Sequence, residues 1–504
     1  MDANQIFYEW VPKYIRFAIL LLMALVVLCA NGIYLGITTD MYNDLGVYIE
    51  PYSMASNAMY IGMGTGFLFA LRLATRFPHK SMVIAGFIMV LLMNLVCATT
   101  SNPYLTVAAS LILGCSKIAP LGVIYLEWSK IWSKNLEAPR VYPSFYFIAL
   151  AGLYFITWLT TYFSYLYSWR YAYIAIGVLL VLCILLAMIF FENHKLRKVV
   201  PLYQLDIPGV LLLITSLMLV NYIAVYGKVK DWFGSDGICA AFFAVVITML
   251  LFLKRALALK RPILDLNLFK NVNVTTGLFL FLILGVFTPS IFQSALSINV
   301  LHFEGIRNAQ INLFFIPGIL AGSLFTFFWY RKKFDSYPLF ILGFLAFVLY
   351  HIMMYNRFVN DLSMADFVVP SFCKGFGLTI LYISIGIYAT ANLPIPQTSK
   401  VVGLILIVRS FLGPAITSGL YNYFLYADTN RHLSTLASEI DANEHMILQH
   451  SDFTEYLTYI LQQANLAALK EISGNIIIFG LSIIIVLVAA LAYRIIRKLV
   501  FTPS

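Results

Sequence analysis

Three cationic side chains stand inside long apolar stretches of the sequence: Lys117, Lys374 and Arg409. Even on lenient insertion scales, a charged side chain at the centre of a membrane helix costs at least ~2.5–3.5 kcal/mol, so it normally faces a protein interior or a wet cavity. The sequence has no carboxylate near the middle of any apolar stretch. We therefore expect a positively charged cavity, whose field favours an anionic or amphipathic substrate.

Each of the three cations also has a purely structural interpretation. Lys117 could bond to backbone carbonyls that Pro120 frees from its helix. Lys374 precedes two closely spaced glycines that permit close helix approach, and its stem could extend towards the membrane surface. Arg409 could donate hydrogen bonds between two helices. The residues alone leave these alternatives open.

Aromatic and polar residues in neighbouring stretches could complete a substrate site, although aromatic residues at such spacing also serve ordinary packing. Because burial disfavours the charged form of lysine, Lys117 or Lys374 could bind and release a coupled proton. Transport without coupling is the simpler alternative. The further candidate residues are Asn31, Tyr34, Tyr60, Tyr154, Trp158 and Tyr382.

The composition places most of the chain in lipid. Of the 504 residues, 61% are hydrophobic and 11% are charged, whereas a soluble chain carries about 25% charged residues. Lys and Arg flank the spans of membrane proteins, so the net charge of +10 does not indicate nucleic-acid binding. The six cysteines stand singly, without a Cys/His cluster, and we expect no disulfide, metal site or cofactor.

Apolar stretches of about 20 residues predict fourteen membrane-spanning helices. An even number of spans places both termini on one side. The segments on that side carry 23 of the 33 Lys and Arg residues, which predicts cytoplasmic termini and a location in the cell (inner) membrane. The predicted spans are 15–38, 52–73, 81–99, 104–126, 143–165, 170–191, 206–226, 237–253, 274–300, 309–330, 338–356, 366–389, 399–426 and 475–493.

One long polar segment, residues 427–473, lies on the outer side in this topology. Residues 433–469 have helical spacing, and the segment is rich in acidic and histidine side chains. A solvated helical hairpin, a docking surface for an extracytoplasmic partner and a metal site are the three interpretations, and the spacing fits no metal-ligand motif. The side chains concerned are His432, Glu439, Asp441, Glu444, His445 and His450.

The loop after the second predicted span carries a first family resemblance. Residues 73–80 (LATRFPHK), with Arg76 and Lys80, resemble the loop between helices 2 and 3 of the major facilitator superfamily. Thr75 stands where the family usually has a carboxylate, and Pro78 stands where it has glycine. The resemblance implies a conformational role for Arg76 and Lys80.

Further motifs resemble the fourteen-span drug:proton antiporter branch of that superfamily. Lys374 with Gly375 and Gly377 is similar to its basic-Gly-x-Gly element, and Arg409 with Gly413 is similar to its Arg-x-x-Gly element. The resemblance implies that these glycines take part in conformational change. Other matching elements, in the order of the branch, are Trp169-Arg170-Tyr171, Asp206-Ile207-Pro208-Gly209, Asp231-Trp232-Phe233, Pro262-Ile263-Leu264-Asp265-Leu266 and Pro317-Gly318.

The resemblance implies an all-α membrane fold of two six-helix bundles, with substrate bound near the midplane and access alternating between the two sides. We expect the first bundle within residues 1–199, an inserted two-helix hairpin within 200–256 and the second bundle within 257–504. A periplasmic adaptor protein is an expected partner if the source has two membranes.

Three departures distinguish the chain from that branch. The carboxylate usual in span one falls at Ala30 or Asn31, and the arginine expected four residues before Gly114 is Ser110. The Gly/Pro-rich antiporter motif falls at 156–161, which reads ITWLTT. These departures argue against the standard proton-coupling scheme but not against the fold.

The sequence therefore predicts a transporter, most simply an exporter of an amphipathic or anionic small molecule, with membrane lipid around it. A flippase or exporter of an acidic lipid on the same scaffold is the alternative, and a sensor that does not transport is another. An intramembrane enzyme is disfavoured because the spans contain neither an acid pair nor an HExxH motif. His351 is the only histidine placed within a predicted span.

Overall fold

Helices make up nearly all of the chain that the computed structural model describes, namely residues 6–133, 137–193, 206–259, 261–359, 361–439 and 453–501. Within those ranges, β-structure is limited to one isolated bridge between Phe7 and Phe191. Twelve helical segments there are long and apolar enough to cross a membrane, by length and composition. They correspond to the third to fourteenth predicted spans, which confirms the all-α membrane fold.

The described residues of the first half form seven α-helices. Their starts follow local rules: Asn102 accepts a hydrogen bond from Tyr104 N at 3.0 Å, and Ser168 accepts one from Arg170 N at 3.4 Å. Such side chains satisfy amide groups that have no partner within the helix. The helices are α1 (Lys13–Cys29), α2 (Thr38–Leu45), α3 (Glu50–Ala74), α4 (His79–Thr99), α5 (Pro103–Trp132), α6 (Ala138–Leu166) and α7 (Trp169–Phe190).

Two further helices follow as a hairpin. Asp206 caps its first helix by accepting a hydrogen bond from Gly209 N at 3.0 Å, and it pairs with Arg255 of the second helix at 2.6 Å. Asn57 of α3 donates a hydrogen bond to Asn221 at 2.9 Å, which fixes the hairpin to the first half. The two helices are α8 (Ile207–Tyr226) and α9 (Asp236–Ala258).

The second half contains the remaining helices, including two segments with π-helical hydrogen bonding, Ala295–Val300 and Val408–Leu412. The last helix, of 49 residues, extends well past the length needed to cross a membrane. The helices are α10 (Val272–Phe287), α11 (Ile291–Ser294), α12 (Gly305–Leu313), α13 (Phe315–Arg331), α14 (Tyr337–Asn356), α15 (Val368–Thr390), α16 (Ile395–Ile407), α17 (Gly413–Glu439) and α18 (Phe453–Phe501).

The first predicted span, 15–38, is wrong as one continuous helix. α1 ends at Cys29, and Ala30 has extended backbone angles of φ −69° and ψ 97°. The break coincides with a tertiary contact, because the chain packs so closely on α5 that a Cβ atom at Gly32 would overlap the Ser110 side chain. Ser110 is fully buried there, which leaves no room for the long arginine side chain of the resembling branch.

The first helix of the second half is interrupted in the same manner. α10 ends at Phe287, and α11 begins at Ile291 after a short non-helical stretch containing Pro289. Proline has no amide hydrogen and cannot continue the hydrogen-bond ladder. Both halves therefore begin with a helix that stops partway and exposes carbonyl groups at its end.

Helix α2 (Thr38–Leu45), after the α1 interruption, is joined to the start of α7 by a hydrogen bond and an ion pair. Trp169 Nε1 donates a hydrogen bond to Asp44 at 2.9 Å, and Arg170 Nη1 pairs with the same carboxylate at 3.1 Å. The hydrogen bond from Trp169, together with the adjacent Arg170 charge, lowers the pKa of the Asp44 carboxyl below its ordinary value. The Trp-Arg element singled out in the sequence thus holds the start of α7 to α2.

Glycines allow equivalent helices in the two halves to pack backbone to backbone. A Cβ at Gly114 of α5 would overlap Met59 O of α3, and a Cβ at Gly375 of α15 would overlap Phe315 O of α13. Small residues at helix interfaces permit such close approach in membranes. The buried apolar side chains form two main clusters, one drawn from residues 6–191 and the other mainly from 210–487.

The polar segment predicted as a loop at 427–473 is helical in its described parts. α17 continues to Glu439, and α18 begins at Phe453. Arg431 pairs with both Asp428 and Glu471, and His432 Nε2 lies 3.0 Å from Glu471, so side-chain pairs join the two extensions. Asp441, Glu444, His445 and His450 lie outside the described residues.

Candidate functional site

Lys117 caps the broken end of α1. Its side chain is 1% exposed, and its Nζ donates to Leu28 O at 3.2 Å and to Asn31 Oδ1 at 3.0 Å. Leu28 O has no amide to accept from within α1, because the helix stops one residue later. Lys117 therefore bonds a carbonyl of α1, a neighbouring helix. The structural interpretation had named carbonyls that Pro120 frees in the helix of Lys117 itself.

Lys374 makes the corresponding contact in the second half. It is 1% exposed, and its Nζ donates to Ser290 Oγ at 3.0 Å and to Pro289 O at 3.3 Å, in the gap between α10 and α11. The ammonium group also lies 4.9 Å from the Tyr350 ring centre and 5.6 Å from that of Phe315. Aromatic faces stabilise a desolvated cation.

The two lysines occupy equivalent places in the two halves. Each lies on the long helix that carries the glycine contacts, and each bonds one carbonyl and one polar side chain at the break of the first helix. A cation near a helix C-terminus also interacts favourably with the helix dipole. The sequence identified both lysines, but it gave no signal for Pro289 and Ser290 as partners.

Arg409 lies where the two halves meet. It sits in the π-helical segment between α16 and α17, and its Nη1 donates to Tyr146 Oη of α6 at 2.7 Å. The guanidinium carbon lies 4.3 Å from the ring centre of Tyr382, 5.3 Å from Tyr146 and 5.8 Å from Phe281. The structure thus brings two separately predicted candidates, Arg409 and Tyr382, together. It adds Tyr146 and Phe281, which the sequence did not single out.

The Arg409 guanidinium is only partly satisfied. The side chain is 9% exposed, and its Nε is buried without a hydrogen-bond partner. In the described part of the chain, no Asp or Glu pairs with Arg409, Lys117 or Lys374. The three cations therefore occupy three separate environments. Arg409 is the one at the junction of the halves, and its Nε–H has no hydrogen-bond partner.

Two of the predicted aromatic candidates lie elsewhere. Tyr34 is buried in the first half, where its hydroxyl donates to Asn94 Oδ1 at 3.1 Å. Trp158 packs against Phe155 and Tyr162 along α6, with ring centres 5.8 Å apart in each case. Tyr34 therefore belongs to the packing of the first half, away from the Arg409 cluster.

Of the residues expected to take part in conformational change, Arg76 and Lys80 lie at the connection between α3 and α4, and the glycines lie at contacts between helices. Arg76 is exposed in the loop after α3, and Lys80 Nζ donates to Met188 O near the end of α7 at 2.8 Å. Gly377 packs against Gly343 O, while Gly413 meets Gly285, so that α17 touches α10 directly beside the π-helical segment. These contacts fix helix positions within each half.

Twin helical halves that meet around a buried charge are the architecture of membrane transporters. The profile of the Major Facilitator Superfamily matches residues 20–418. The chain belongs to that superfamily, which confirms the resemblance seen in the sequence, and it is a multi-pass membrane transporter rather than an enzyme.

Several characterised proteins are similar in sequence at low identity. The chain is 24% identical to the colistin resistance protein EmrB of Acinetobacter baumannii over 268 residues, covering 51% of this chain and 48% of that protein. It is 24% identical to the multidrug export protein EmrB of Escherichia coli over 265 residues, covering 50% and 49%. It is 23% identical to the fatty acid resistance protein FarB of Neisseria gonorrhoeae over 215 residues, covering 41% of each. The chain thus matches about half the length of these relatives or less.

Solved structures are similar in fold. A peptide transporter POT in complex with sulfate superposes with a TM-score of 0.60 at 14% identity, covering 98% of this chain and 99% of that one. The nucleoside transporter NupG superposes with a TM-score of 0.54 at 12% identity, covering 94% and 98%. At such identities the likeness concerns the fold alone.

Proposed function

We propose that the protein is a secondary active transporter that exports an amphipathic or anionic small molecule by alternating access. The observation that carries this proposal is Arg409, a buried arginine at the junction of the halves with no described acidic partner and a buried Nε without a hydrogen bond. A desolvated cation without a counter-ion is costly, so an anionic ligand at this position supplies what the protein lacks. The names of the relatives, multidrug export and fatty acid resistance, agree with export of amphipathic compounds.

The proposal includes fourteen spans with both termini in the cytoplasm of the cell (inner) membrane. α1 has 17 residues and α3 has 25, and we propose that both cross the membrane in addition to the twelve apolar segments. The bundles then lie within residues 1–199 and 257–504, with the hairpin within 200–256. Reporter fusions at the two termini that responded as extracytoplasmic would contradict this topology.

We also propose that the helical extensions of α17 and α18 form the surface on which an adaptor protein docks in a two-membrane cell. Their polar side chains are joined in pairs through Arg431 and Glu471, which suits a rigid projection.

Proton coupling is proposed through Lys117 or Lys374. Retention of pH-gradient-driven transport by both Lys117→Ala and Lys374→Ala proteins in liposomes would show that neither lysine carries the proton.

The decisive experiment measures ligand-dependent thermal stabilisation and liposome transport with lipophilic anions and lipophilic cations that share one apolar body. Stabilisation and transport confined to the anions support the proposal. A preference for the cations contradicts it. Acidic lipids form a third arm: if the protein moves a labelled acidic lipid between leaflets and ignores the soluble anions, the function is lipid translocation.

A further inference from the structure

We infer that Arg409 and the aromatic side chains around it form the headgroup site for a lipophilic monocarboxylate. This inference rests on the proposed function and narrows it to one substrate class and one set of contacts. The argument uses the free edge of the guanidinium, the charge balance of the site and the side chains that line it.

The geometry leaves one edge of the guanidinium for a ligand. Arginine carries five N–H donors in a rigid planar fork. Nη1 is committed to Tyr146 Oη at 2.7 Å, while Nε is buried and has no hydrogen-bond partner. The Nε–H and the adjacent Nη2 amino group together form the edge that binds a carboxylate through two parallel hydrogen bonds. A carboxylate on this edge satisfies the buried Nε without displacing Tyr146.

Charge balance favours an anion with a single charge. One guanidinium is present at the junction, and no described Asp or Glu pairs with it. The other two buried cations are bound to the helix breaks, Lys117 at Leu28 and Asn31 and Lys374 at Pro289 and Ser290. A phosphate dianion would therefore leave one charge uncompensated in a desolvated site, whereas a monocarboxylate leaves none.

Aromatic rings hold the guanidinium plane in position. Tyr382 lies 4.3 Å from the guanidinium carbon, and Tyr146 and Phe281 lie within 6 Å. Stacking of this kind fixes the orientation of the fork and stabilises the charge while no ligand is bound. Lysine, a compact point charge without the fork, cannot reproduce this arrangement.

An apolar ligand body has aromatic side chains of both halves to contact. Tyr154 of α6 packs edge-on against Phe315 of α13, with ring centres 4.8 Å apart. Tyr60, Tyr154 and Tyr382 are each only partly buried. A carboxylate at Arg409 thus places its apolar body between surfaces that belong to different halves, and closure of the halves completes the site.

The test uses full-length protein in phosphatidylcholine nanodiscs, with 2-naphthoate, 2-naphthyl phosphate and 2-naphthol as probes of one apolar body. Dissociation constants are measured by titration calorimetry. We expect 2-naphthoate to bind at least tenfold more tightly than either of the other probes. Equal or tighter binding of the phosphate overturns the assignment to a monocarboxylate.

Two variants of Arg409 distinguish the planar guanidinium donors from the positive charge. Arg409→Gln removes both and Arg409→Lys keeps the charge, and we expect each to weaken 2-naphthoate binding at least tenfold. The matched control is Arg307→Gln, since Arg307 is an exposed arginine beside an aromatic ring, 5.9 Å from Phe303, and binding should stay within twofold. Unchanged binding by Arg409→Gln overturns the site, and unchanged binding by Arg409→Lys overturns the two-hydrogen-bond contact.

A second measurement covers the case in which an Arg409 variant does not fold. The infrared carboxylate stretches of 13C-labelled 2-naphthoate shift on two-point binding to a guanidinium, and Tyr382→Leu should reduce both this shift and the affinity. Absence of the shift in the wild-type protein overturns the site. Transport of lipophilic anions with no dependence on Arg409 overturns the site but leaves the proposed function intact. Binding of 2-naphthoate without transport of any anion contradicts the proposed function alone.

Nanodiscs containing phosphatidylserine, whose headgroup has a carboxylate, distinguish the sources of the ligand. Binding of 2-naphthoate that is unaffected by phosphatidylserine supports a soluble or chain-borne carboxylate. Competition by phosphatidylserine that disappears in Arg409→Gln assigns the same contact to a lipid headgroup carboxylate.

Discussion

Buried lysines at helix breaks have a clear physical role at the scale of single residues. Lys117 and Lys374 each supply ammonium donors to oxygen atoms that an interrupted helix leaves without partners. A carbonyl in a desolvated interior without a hydrogen bond costs about as much as a lost hydrogen bond. The lysines therefore make the two interruptions possible, whatever further part they have in transport.

Removing either ammonium group should destabilise the protein by a similar amount. Lys117→Met and Lys374→Met each remove the donor of two hydrogen bonds, and each acceptor left buried without a partner costs about 1–3 kcal/mol. The expected result is a lower melting temperature for both, measured in the same detergent. Lys254→Met serves as the control because Lys254 is exposed on α9. A melting temperature that falls for only one lysine variant would show that the two breaks are not equivalent.

At the scale of helix pairs, several neighbouring helices pack at glycines where a Cβ atom would overlap the partner helix. On α5, Gly114 touches the α3 backbone at Met59, whereas Gly122 has open space where a Cβ would lie. The same helix therefore offers a test position and a matched control. A separate contact, between Gly32 and the Ser110 side chain, brings α5 close to the broken end of α1.

Gly114→Ala should destabilise the first half, whereas Gly122→Ala should not. The added methyl group at position 114 overlaps backbone atoms, and overpacking of this kind costs ~1–3 kcal/mol. At position 122, alanine should be neutral or favourable, because its helix propensity exceeds that of glycine by up to about 1 kcal/mol. Thermal unfolding followed by size-exclusion chromatography measures both, and equal melting temperatures would contradict the packing role.

At the scale of the whole molecule, α3 of the first half packs directly against α16 of the second half. A Cβ at Gly403 would lie 2.8 Å from Gly64 O, and Ser399 Oγ donates to Phe67 O at 3.2 Å. This contact lies towards the end of α3, which is at Ala74, and the start of α16, which is at Ile395. Alternating access requires that such a contact forms in one conformation and separates in another.

A bulky residue at Gly403 should shift the protein away from the closed conformation. In a background without native cysteines, Gly403→Val should raise the rate at which a thiol reagent labels Ser399→Cys, by several-fold, because the backbone contact with α3 can no longer form. The control is Gly122→Val, at a position with open space. If labelling is unchanged by Gly403→Val, the α3–α16 contact does not close the transport path.

Local properties of the chain were enough to determine several features of this protein. Its membrane location, twelve of the predicted spans and its superfamily follow from runs of apolar residues and short motifs, because lipid solvates each span in much the same way. The unusual cations were visible as single charges in apolar runs. The glycine motifs were visible too, and the structure places Gly375 and Gly413 at backbone contacts.

Contacts between distant residues decided the rest. The hydrogen bonds of Lys117 with Asn31, Lys374 with Ser290 and Arg409 with Tyr146 join residues separated by 86, 84 and 263 positions. No local pattern specifies such pairs, because each depends on which helix face meets which neighbour. For the same reason, the sequence could not show that the two lysines are bonded at helix breaks while the Nε of Arg409 has no hydrogen-bond partner. Only the packed helices determine which buried charge has which partners.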